Sequence, residues 1–375
     1  MTHGVVTNHP WQMNPLMSSR NGASWLVWST ILCASICLSA CSSFPDWRHW
    51  SRSAAPPTPS DRFLLPAEGT DVVGIVQITT ARHEDTLSDL ARRYDLGYEE
   101  IVAANPGMDP WLPGEGARVV LPTQFVLPDA PRQGLVLNLA AMRLFYYPDP
   151  LADEPPRVIT HPIGIGREGW RTPQGTSRVT EKLVRPTWTV PASVRREHAE
   201  KGDPLPPVVP PGPDNPLGEY AMRLSLPSYL IHGTNQPYGV GLRVSHGCVR
   251  LYPEDIARLF PEVPEGTRVT IINQPYVAGW REGQLYLEAH PPLAEDVKRW
   301  GNSLKPMEQA LAAKAARPGS IDWDKASKVA QEARGIPIPV SPGSPDLAEV
   351  LSAAPQVPSN PPWALAEAAG SDSID

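Results

Sequence analysis

Proline is the feature that most constrains the fold of this chain. The 375 residues include 46 Pro and 28 Gly, and proline alone stands at about twice its usual share. This composition predicts long linkers and loops instead of one compact core, and the length leaves room for two or more domains. The net charge is −7 and no long basic run is present, which argues against a nucleic-acid partner.

The N-terminal segment has the pattern of an export signal. Arg20 supplies positive charge, and residues 23–40 are apolar apart from small polar residues and Trp. The run ends in Leu38-Ser39-Ala40-Cys41, which resembles the lipobox of bacterial lipoproteins. Residues 1–40 are therefore predicted to be a signal peptide, removed before a lipidated Cys41. The alternative is a membrane-spanning helix, since about 18 apolar residues is near the lower limit for a span.

This interpretation reduces the four cysteines to one free thiol. Cys33 and Cys37 would be removed with the signal, and Cys41 would carry lipid. Cys248 is then unpaired in an exported protein, which favours a catalytic role. Ser42 follows the lipidated cysteine, and by analogy with enteric lipoproteins the absence of Asp there favours the outer membrane.

Residues 41–75 are predicted to be a Pro-rich tether, and residues 76–123 a small α+β domain of order βααβ. The expected elements are a strand at Ile78, a helix from Leu87 to Tyr94 capped by Asp85 or Thr86, a helix over Tyr98–Ala104 that ends at Asn105-Pro106-Gly107, and a strand at Val119–Pro122. The pattern resembles a LysM module, which implies binding to glycans that contain N-acetylglucosamine. The alternative is a domain that serves only as a spacer.

Residues 133–273 are predicted to form a mainly β domain. The expected strands are Val136–Leu139, Arg143–Tyr147, Val158–Gly166, Ser177–Thr180, Tyr220–Leu224, Tyr229–His232 and Arg268–Ile272. A charged, Pro-rich insertion at 195–219 is either a lid or a plain surface loop. Residues 274–334 are expected to be a partly helical extension, and residues 335–375 a disordered tail.

Two stretches of the β domain concentrate reactive side chains: Ile-His-Gly-Thr-Asn at 231–235 and Ser-His-Gly-Cys-Val-Arg-Leu at 245–251. A cysteine becomes a nucleophile as thiolate, so Cys248 needs a base or a positive neighbour. His232 and His246 both qualify. His246 is two residues from the thiol and shares its face if the stretch is extended.

Gly247 allows a close backbone approach or a turn that a side chain would block. The amides of Gly247 and Cys248 could then point at an oxyanion. Two other interpretations remain open. A lone cysteine is often a small buried hydrophobe, and a Cys with two His could bind zinc, although no CxxC or HxxxH spacing is present.

The two stretches resemble the catalytic signature of the L,D-transpeptidase (YkuD-type) family. The resemblance implies a β-sandwich-like catalytic fold and acyl transfer between peptidoglycan stems, with no metal or organic cofactor. Cys248 would attack the third residue of a donor tetrapeptide, release D-alanine and form a thioester. An amine would then take the acyl group, giving a 3→3 cross-link or attachment of an outer-membrane lipoprotein. The alternatives are a hydrolase that uses water, and an inert wall-binding lipoprotein.

The resemblance also assigns roles. His232 is the expected base, with the Gly233 carbonyl orienting its ring and His246 as the alternative. Arg250 can grip a substrate carboxylate, or it forms a structural ion pair. Ser245 is expected to shape the turn, and the substrate-binding set is completed by Thr234 and Asn235. The expected location is the periplasm, anchored through Cys41, with glycan strands and stem peptides as partners.

Overall fold

The computed structural model describes residues 61–65, 69–150, 155–315 and 319–359. The expected signal peptide, Cys41 and tether residues 41–60 lie outside these ranges. The tether prediction is wrong for Arg62–Leu64 and Val72–Gly74, which are β-strands. Within them, no helix is both long and apolar enough to cross a membrane.

The N-terminal part of the described chain is a small α+β module. Its elements are β1 (Arg62–Leu64), β2 (Val72–Gly74), β3 (Gln77–Thr80), α1 (Leu87–Arg93), α2 (Tyr98–Ala104), β4 (Arg118–Leu121) and β5 (Gln124–Val126). The order β3-α1-α2-β4 is the expected βααβ order, and β3 pairs with β4 antiparallel. Thr86 caps α1 in a reciprocal capping box with Asp89, which satisfies backbone N–H groups that a helix start leaves free.

Asn105 explains why α2 stops where it does. Its amide nitrogen donates to the carbonyls of Ile101 and Val120, both at 2.8 Å, and its oxygen accepts from the Val120 N–H at 2.8 Å. One buried side chain therefore ends the helix and ties it to β4.

The second part is mainly β, as predicted. Its elements are β6 (Gly134–Asn138), β7 (Arg143–Tyr147), β8 (Arg157–Pro162), β9 (Ile165–Gly166), β10 (Gly175–Val184), β11 (Trp188–Thr189), α3 (Ala192–Glu200), β12 (Val208–Val209), β13 (Tyr220–Leu224), β14 (Leu230–His232), β15 (Arg243–Ser245), β16 (Val249–Arg250), α4 (Pro253–Glu262) and β17 (Arg268–Ile272). Nine strands form one sheet in the order β1-β8-β7-β6-β17-β10-β13-β14-β16.

Strand β10 holds the two halves of this sheet together. Residues 175–178 pair with β17, and residues 179 and 181–184 pair with β13, with a register shift between Val179 and Glu181. A bulge of this kind bends a strand and increases its twist, so one long strand can serve both halves. The apolar core between the sheet and α4 includes Leu137, Met222, Ile231 and Leu259.

The third part is an ordered extension that corrects the sequence interpretation. Its elements are β18 (Tyr276–Arg281), β19 (Gln284–Ala289), α5 (Ala294–Trp300), α6 (Lys305–Lys314), α7 (Trp323–Glu332), β20 (Ile338–Pro339) and α8 (Leu347–Ala353). Strand β18 was not expected, and the prediction of disorder from 335 onward is wrong for 335–359. Strand β20 pairs with β19, and the Val357 N–H donates to the Ile78 carbonyl at 2.8 Å.

Arg143 joins the α+β module to the large sheet. Its side chain on β7 is buried, and it makes two hydrogen bonds to Glu100 of α2, at 2.8 and 3.0 Å. The guanidinium also donates to the Asp95 carbonyl at 2.9 Å. Removing one partner of such a pair leaves an uncompensated buried charge, which costs more than the pair itself contributes.

We therefore expect Arg143→Met to lower the free energy of unfolding by about 3–5 kcal/mol, measured by urea denaturation. The matched control is Arg223→Met, which breaks an exposed pair with Glu181 and should cost about 1 kcal/mol or less. Adding Glu100→Gln to the first variant should recover part of the loss. Equal effects of the two Arg substitutions would contradict this account.

Candidate active site

Parallel pairing of β14 with β16 brings the two sequence stretches together. In the register, Ile231 lies opposite Val249 and His232 lies opposite Arg250. Ile231 and Val249 are buried in the core. Since side chains alternate along a strand, His232 and Arg250 lie on the other face, and Cys248 precedes the pair at the start of β16.

The turn before Cys248 is fixed by the Ser245 hydroxyl. This group donates to the Cys248 carbonyl at 2.6 Å and accepts from the Gly247 N–H at 3.1 Å, as expected of a residue that shapes the turn. Gly247 has φ of +106°, and a Cβ there would lie 2.8 Å from Cε1 of Tyr229. Glycine is therefore required at this position for both its conformation and its size.

Thr172 also stabilises this turn, through two hydrogen bonds of its hydroxyl. Its hydroxyl donates to the Gly247 carbonyl at 2.9 Å and accepts from the Gly166 N–H at 3.1 Å. This contact joins residues far apart in the chain and has no sequence signal.

Two expectations about the turn are wrong. The Gly247 N–H donates to Ser245 and so does not point at an oxyanion. The Cys248 N–H lies outside the paired residues of β14 and β16. It remains the candidate hydrogen-bond donor to an oxyanion. Because Gly247 interrupts the extended backbone, His246 and Cys248 also do not share a strand face.

His246 instead belongs to a charged cluster with the insertion. Its Nε2 donates to Glu197 of α3 at 3.0 Å, and its ring packs edge-on against Trp170 with centroids 4.8 Å apart. Glu197 also pairs with Arg167 and Lys201. These bonds lower the pKa of Glu197 to about 2, so it stays anionic beside His246.

His232 is buried at the end of β14, and its Nδ1 lies 2.5 Å from the Gly233 carbonyl. A carbonyl only accepts, so Nδ1 carries the proton and Nε2 has the free lone pair. Burial and, to a smaller extent, the nearby charge of Arg250 lower the pKa of His232 to about 3, although hydrogen bonds to the Gly233 and Leu217 backbone act in the opposite direction. The ring is therefore neutral at physiological pH.

The Cys248 thiol is only partly exposed, and its Sγ donates to the Ser228 carbonyl at 3.7 Å. Burial raises the pKa of the thiol, while a hydrogen bond from the Leu230 backbone and the charge of Arg250 oppose that shift. Cys248 and His232 thus rest as neutral thiol and neutral imidazole.

Arg250 lacks the ion pair that one interpretation required. Within the described ranges no carboxylate pairs with it, and its Nε is buried without a hydrogen-bond acceptor. Burial lowers the pKa of its guanidinium, and the adjacent Cys248 opposes this. A buried donor left unsatisfied is costly, and an incoming carboxylate would satisfy it.

Thr234 and Asn235 fix the loop after β14. The Thr234 hydroxyl accepts from the Gln236 N–H at 2.9 Å, and the Asn235 amide donates to the Pro213 carbonyl at 3.3 Å. The Thr234 side chain therefore stabilises the loop itself, and the Asn235 side chain ties the loop to the Pro-rich insertion. The residues that sequence reasoning missed are Trp170, Thr172, Glu197, Ser228 and Tyr229, none of which belongs to the two motifs.

Comparison with known proteins identifies the family. The model of the YkuD L,D-transpeptidase catalytic domain matches residues 132–271. The chain is 41% identical to "Probable L,D-transpeptidase ErfK/SrfK" of Escherichia coli strain K12, over 75% of this chain and 91% of the relative. It is 46% identical to "Probable L,D-transpeptidase YbiS" of the same strain, over 62% and 76%.

The chain belongs to the L,D-transpeptidase family. It is therefore an L,D-transpeptidase. The parallel pair of β14 and β16 holds the two stretches at 231–235 and 245–251 next to each other. "Probable L,D-transpeptidase YcfS" of the same strain is a further relative, 41% identical over 64% of this chain and 76% of the relative.

A pH profile of thiol alkylation tests the neutral pair in this L,D-transpeptidase. Because the pKa of Cys248 lies above its ordinary value, its thiolate fraction and alkylation rate should rise about tenfold per pH unit between about pH 6 and 8. The measurement is iodoacetamide labelling, read by mass spectrometry on the peptide that contains Cys248. A rate that stays constant between pH 5 and 8 would indicate a thiolate–imidazolium pair instead.

Proposed function

We propose that the protein forms a thioester between Cys248 and a peptidoglycan stem tetrapeptide, releases D-alanine, and passes the acyl group to an amine. The single observation that best supports this is the pairing of His232 with Arg250 across β14 and β16, because Arg250 is two residues after the Cys248 thiol. Family membership supports a peptidoglycan substrate.

The first half-reaction uses His232 as base. Its Nε2 takes the Sγ proton as sulfur bonds to the carbonyl carbon of the third stem residue, and the Cys248 N–H stabilises the resulting oxyanion. The imidazolium then protonates the leaving amine of D-alanine, and the C–N bond breaks to leave the thioester. Gly233 keeps the ring oriented throughout.

The second half-reaction reverses these proton transfers. His232 deprotonates the acceptor amine, which attacks the thioester, and the sulfur leaves and regains its proton. The acceptor is a stem side-chain amine, giving a 3→3 cross-link, or a lysine of an outer-membrane lipoprotein. Arg250 binds a stem carboxylate in both steps, supported by its unsatisfied Nε.

The test is incubation of the full chain with a disaccharide-tetrapeptide, followed by mass spectrometry of protein and products. We expect an adduct on Cys248 with loss of D-alanine and a cross-linked dimer. Cys248→Ala should give neither. Release of the free tripeptide acid alone would identify a hydrolase, and the absence of any adduct on a folded wild-type chain would favour an inert wall-binding protein.

The same assay separates the two histidines. His232→Asn should slow acylation by about 10²–10⁴-fold, because it removes the proposed base and the neutral thiol must lose its proton to attack. His246→Asn should slow it far less, since His246 pairs with Glu197. The control is His198→Asn, and near-ultraviolet circular dichroism checks the fold. The reverse order of effects would make His246 the base.

The α+β module is proposed to bind glycan as a LysM module. Support comes from its βααβ order and from an exposed apolar pair, Trp111 and Leu112, with the Trp111 ring 6.5 Å from that of Tyr98. Exposed aromatic rings supply flat contact area for ligands. A lipid on Cys41 would anchor the protein to a membrane in the periplasm. The outer membrane is favoured because residue 42 is Ser and not Asp.

We expect Trp111→Ala to weaken retention on insoluble peptidoglycan several-fold, because it removes an exposed contact ring and no core packing. The measurement is a pull-down across a series of peptidoglycan concentrations. Trp323→Ala, at an exposed tryptophan outside the module, is the matched control and should bind as wild type. An unchanged Trp111→Ala would contradict this surface as the glycan site.

A further inference from the structure

His246 is a reactive side chain of the stretch at 245–251 that the proposed mechanism does not use. It is two residues before Cys248, so the two Cα atoms are about 7 Å apart or less. Its ring packs edge-on against Trp170, with centroids 4.8 Å apart. The Trp170 carbonyl oxygen is next to the cysteine turn, because a Cβ on Gly247 would lie 3.5 Å from it. The His246 ring is therefore held beside the turn that carries the thiol.

Different parts of the fold hold the two histidines of the site. Nε2 of His246 donates to Glu197 on α3 at 3.0 Å. His232 is held instead by the backbone of Gly233 and Leu217. A thioester at this site would therefore lie beside two imidazoles that are positioned independently, and its formation uses only one of them.

The bond to Glu197 determines which ring nitrogen of His246 can accept a hydrogen bond. Glu197 is anionic, since hydrogen bonds from Lys201 and Arg167 lower its pKa to about 2. A carboxylate only accepts, so Nε2 carries the proton. Burial lowers the pKa of His246, although the bond to Glu197 opposes this shift. The ring is therefore neutral at physiological pH, and Nδ1 has a lone pair.

Nδ1 of His246 is open to a ligand. Within the described part of the chain no hydrogen-bond donor contacts it, and it is not among the buried unpaired atoms, so solvent reaches it. The His246 side chain is 22% exposed. Because Nδ1 is bonded to Cγ, it lies closer to the main chain of the cysteine turn than Nε2, which reaches out to α3. A donor on a bound substrate can therefore meet Nδ1 next to the thiol.

The charges around His246 favour a neutral amine over an ammonium group. Arg167 and Lys201 both pair with Glu197, and two cations against one carboxylate leave an excess of positive charge beside the neutral ring. A nearby cation lowers the pKa of an amine. An amine attacks an acyl carbon only in its neutral form, so this excess charge favours the form that the second half-reaction needs.

We propose that Nδ1 of His246, oriented by Glu197, accepts a hydrogen bond from the acceptor amine and holds it against the thioester on Cys248. This inference rests on the proposed function and assigns its acceptor site. One N–H of the neutral amine donates to Nδ1, and His232 removes the other proton as nitrogen bonds to the acyl carbon. The C–S bond then breaks, the proton passes from His232 to sulfur, and the first hydrogen stays on the new amide. Glu197 acts through His246 and is a positioning residue.

The competing explanation is that His246 only ties α3 to the cysteine turn. His246→Gln separates the two explanations. The Gln amide keeps a donor toward Glu197 near the position of Nε2, but it has no acceptor at the position of Nδ1. If the ring has only a structural role, this variant should behave as wild type.

The experiment follows one substrate, a disaccharide-tetrapeptide, which serves as both donor and acceptor. D-Alanine release in the first turnover reports acylation. The ratio of cross-linked dimer to free tripeptide acid reports how often an amine, and not water, takes the acyl group. We expect His246→Gln to release D-alanine at close to the wild-type rate, while the ratio falls about tenfold, because the lost hydrogen bond held the amine and not the water.

Glu197→Gln should lower the same ratio, because the ring loses the anion that orients it. His198→Gln is the matched control, since it makes the same change at a histidine whose ring centroid is 6.0 Å from that of His246, and it should keep the wild-type ratio. An unchanged ratio in His246→Gln, or an equal loss of dimer and tripeptide acid, would overturn the inference.

Two outcomes on the wild-type chain separate this inference from the proposed function. Tripeptide acid as the only product would overturn the acceptor site and leave the thioester on Cys248 in place. The absence of D-alanine release from a folded wild-type chain would instead contradict the proposed function, and the acceptor site with it.

Discussion

The active site depends on the parallel register between β14 and β16. Parallel strands need a crossover between them, and the chain uses this connection to return to the sheet with the cysteine turn at its end. Because side chains alternate along each strand, Ile231 and Val249 lie in the core, and His232 and Arg250 lie on the opposite face. A slip of one residue would exchange the two faces, so core packing and catalytic geometry fix the same register.

Burial shifts the pKa values of His232 and Cys248, the two groups proposed to react, in opposite directions, and both shifts favour the neutral form. The imidazole of His232 becomes harder to protonate, and the thiol of Cys248 becomes harder to ionise. Arg250 adds a positive charge beside both, and within the described chain it has no carboxylate partner. The charge of Arg250 therefore favours a negative charge at this site, such as a thiolate on Cys248 or the substrate carboxylate proposed above.

Local patterns predicted much of this fold. The bounds of α2, β7 and β17 agree with the sequence interpretation because each element has clear periodicity and a strong stop. The order of residues 335–359 was not predicted because it comes from pairing with β19 and β3. Strand β3 lies hundreds of residues earlier in the chain. The contact of His246 with Glu197 was not predicted for a related reason, since it joins residues far apart in the chain.

Tertiary contacts also attach the α+β module to the catalytic domain. The N–H groups of Tyr98 and Glu99, at the start of α2, donate to the carbonyls of Val240 and Gly241 at 3.4 and 3.2 Å. Gly241 has φ of +76°, and a Cβ there would lie 2.2 Å from the Tyr98 nitrogen. Only glycine lets the two backbones meet. Gly241 is two residues before β15, which leads into the catalytic turn, so the N-terminal module is hydrogen-bonded to the segment that positions the nucleophile.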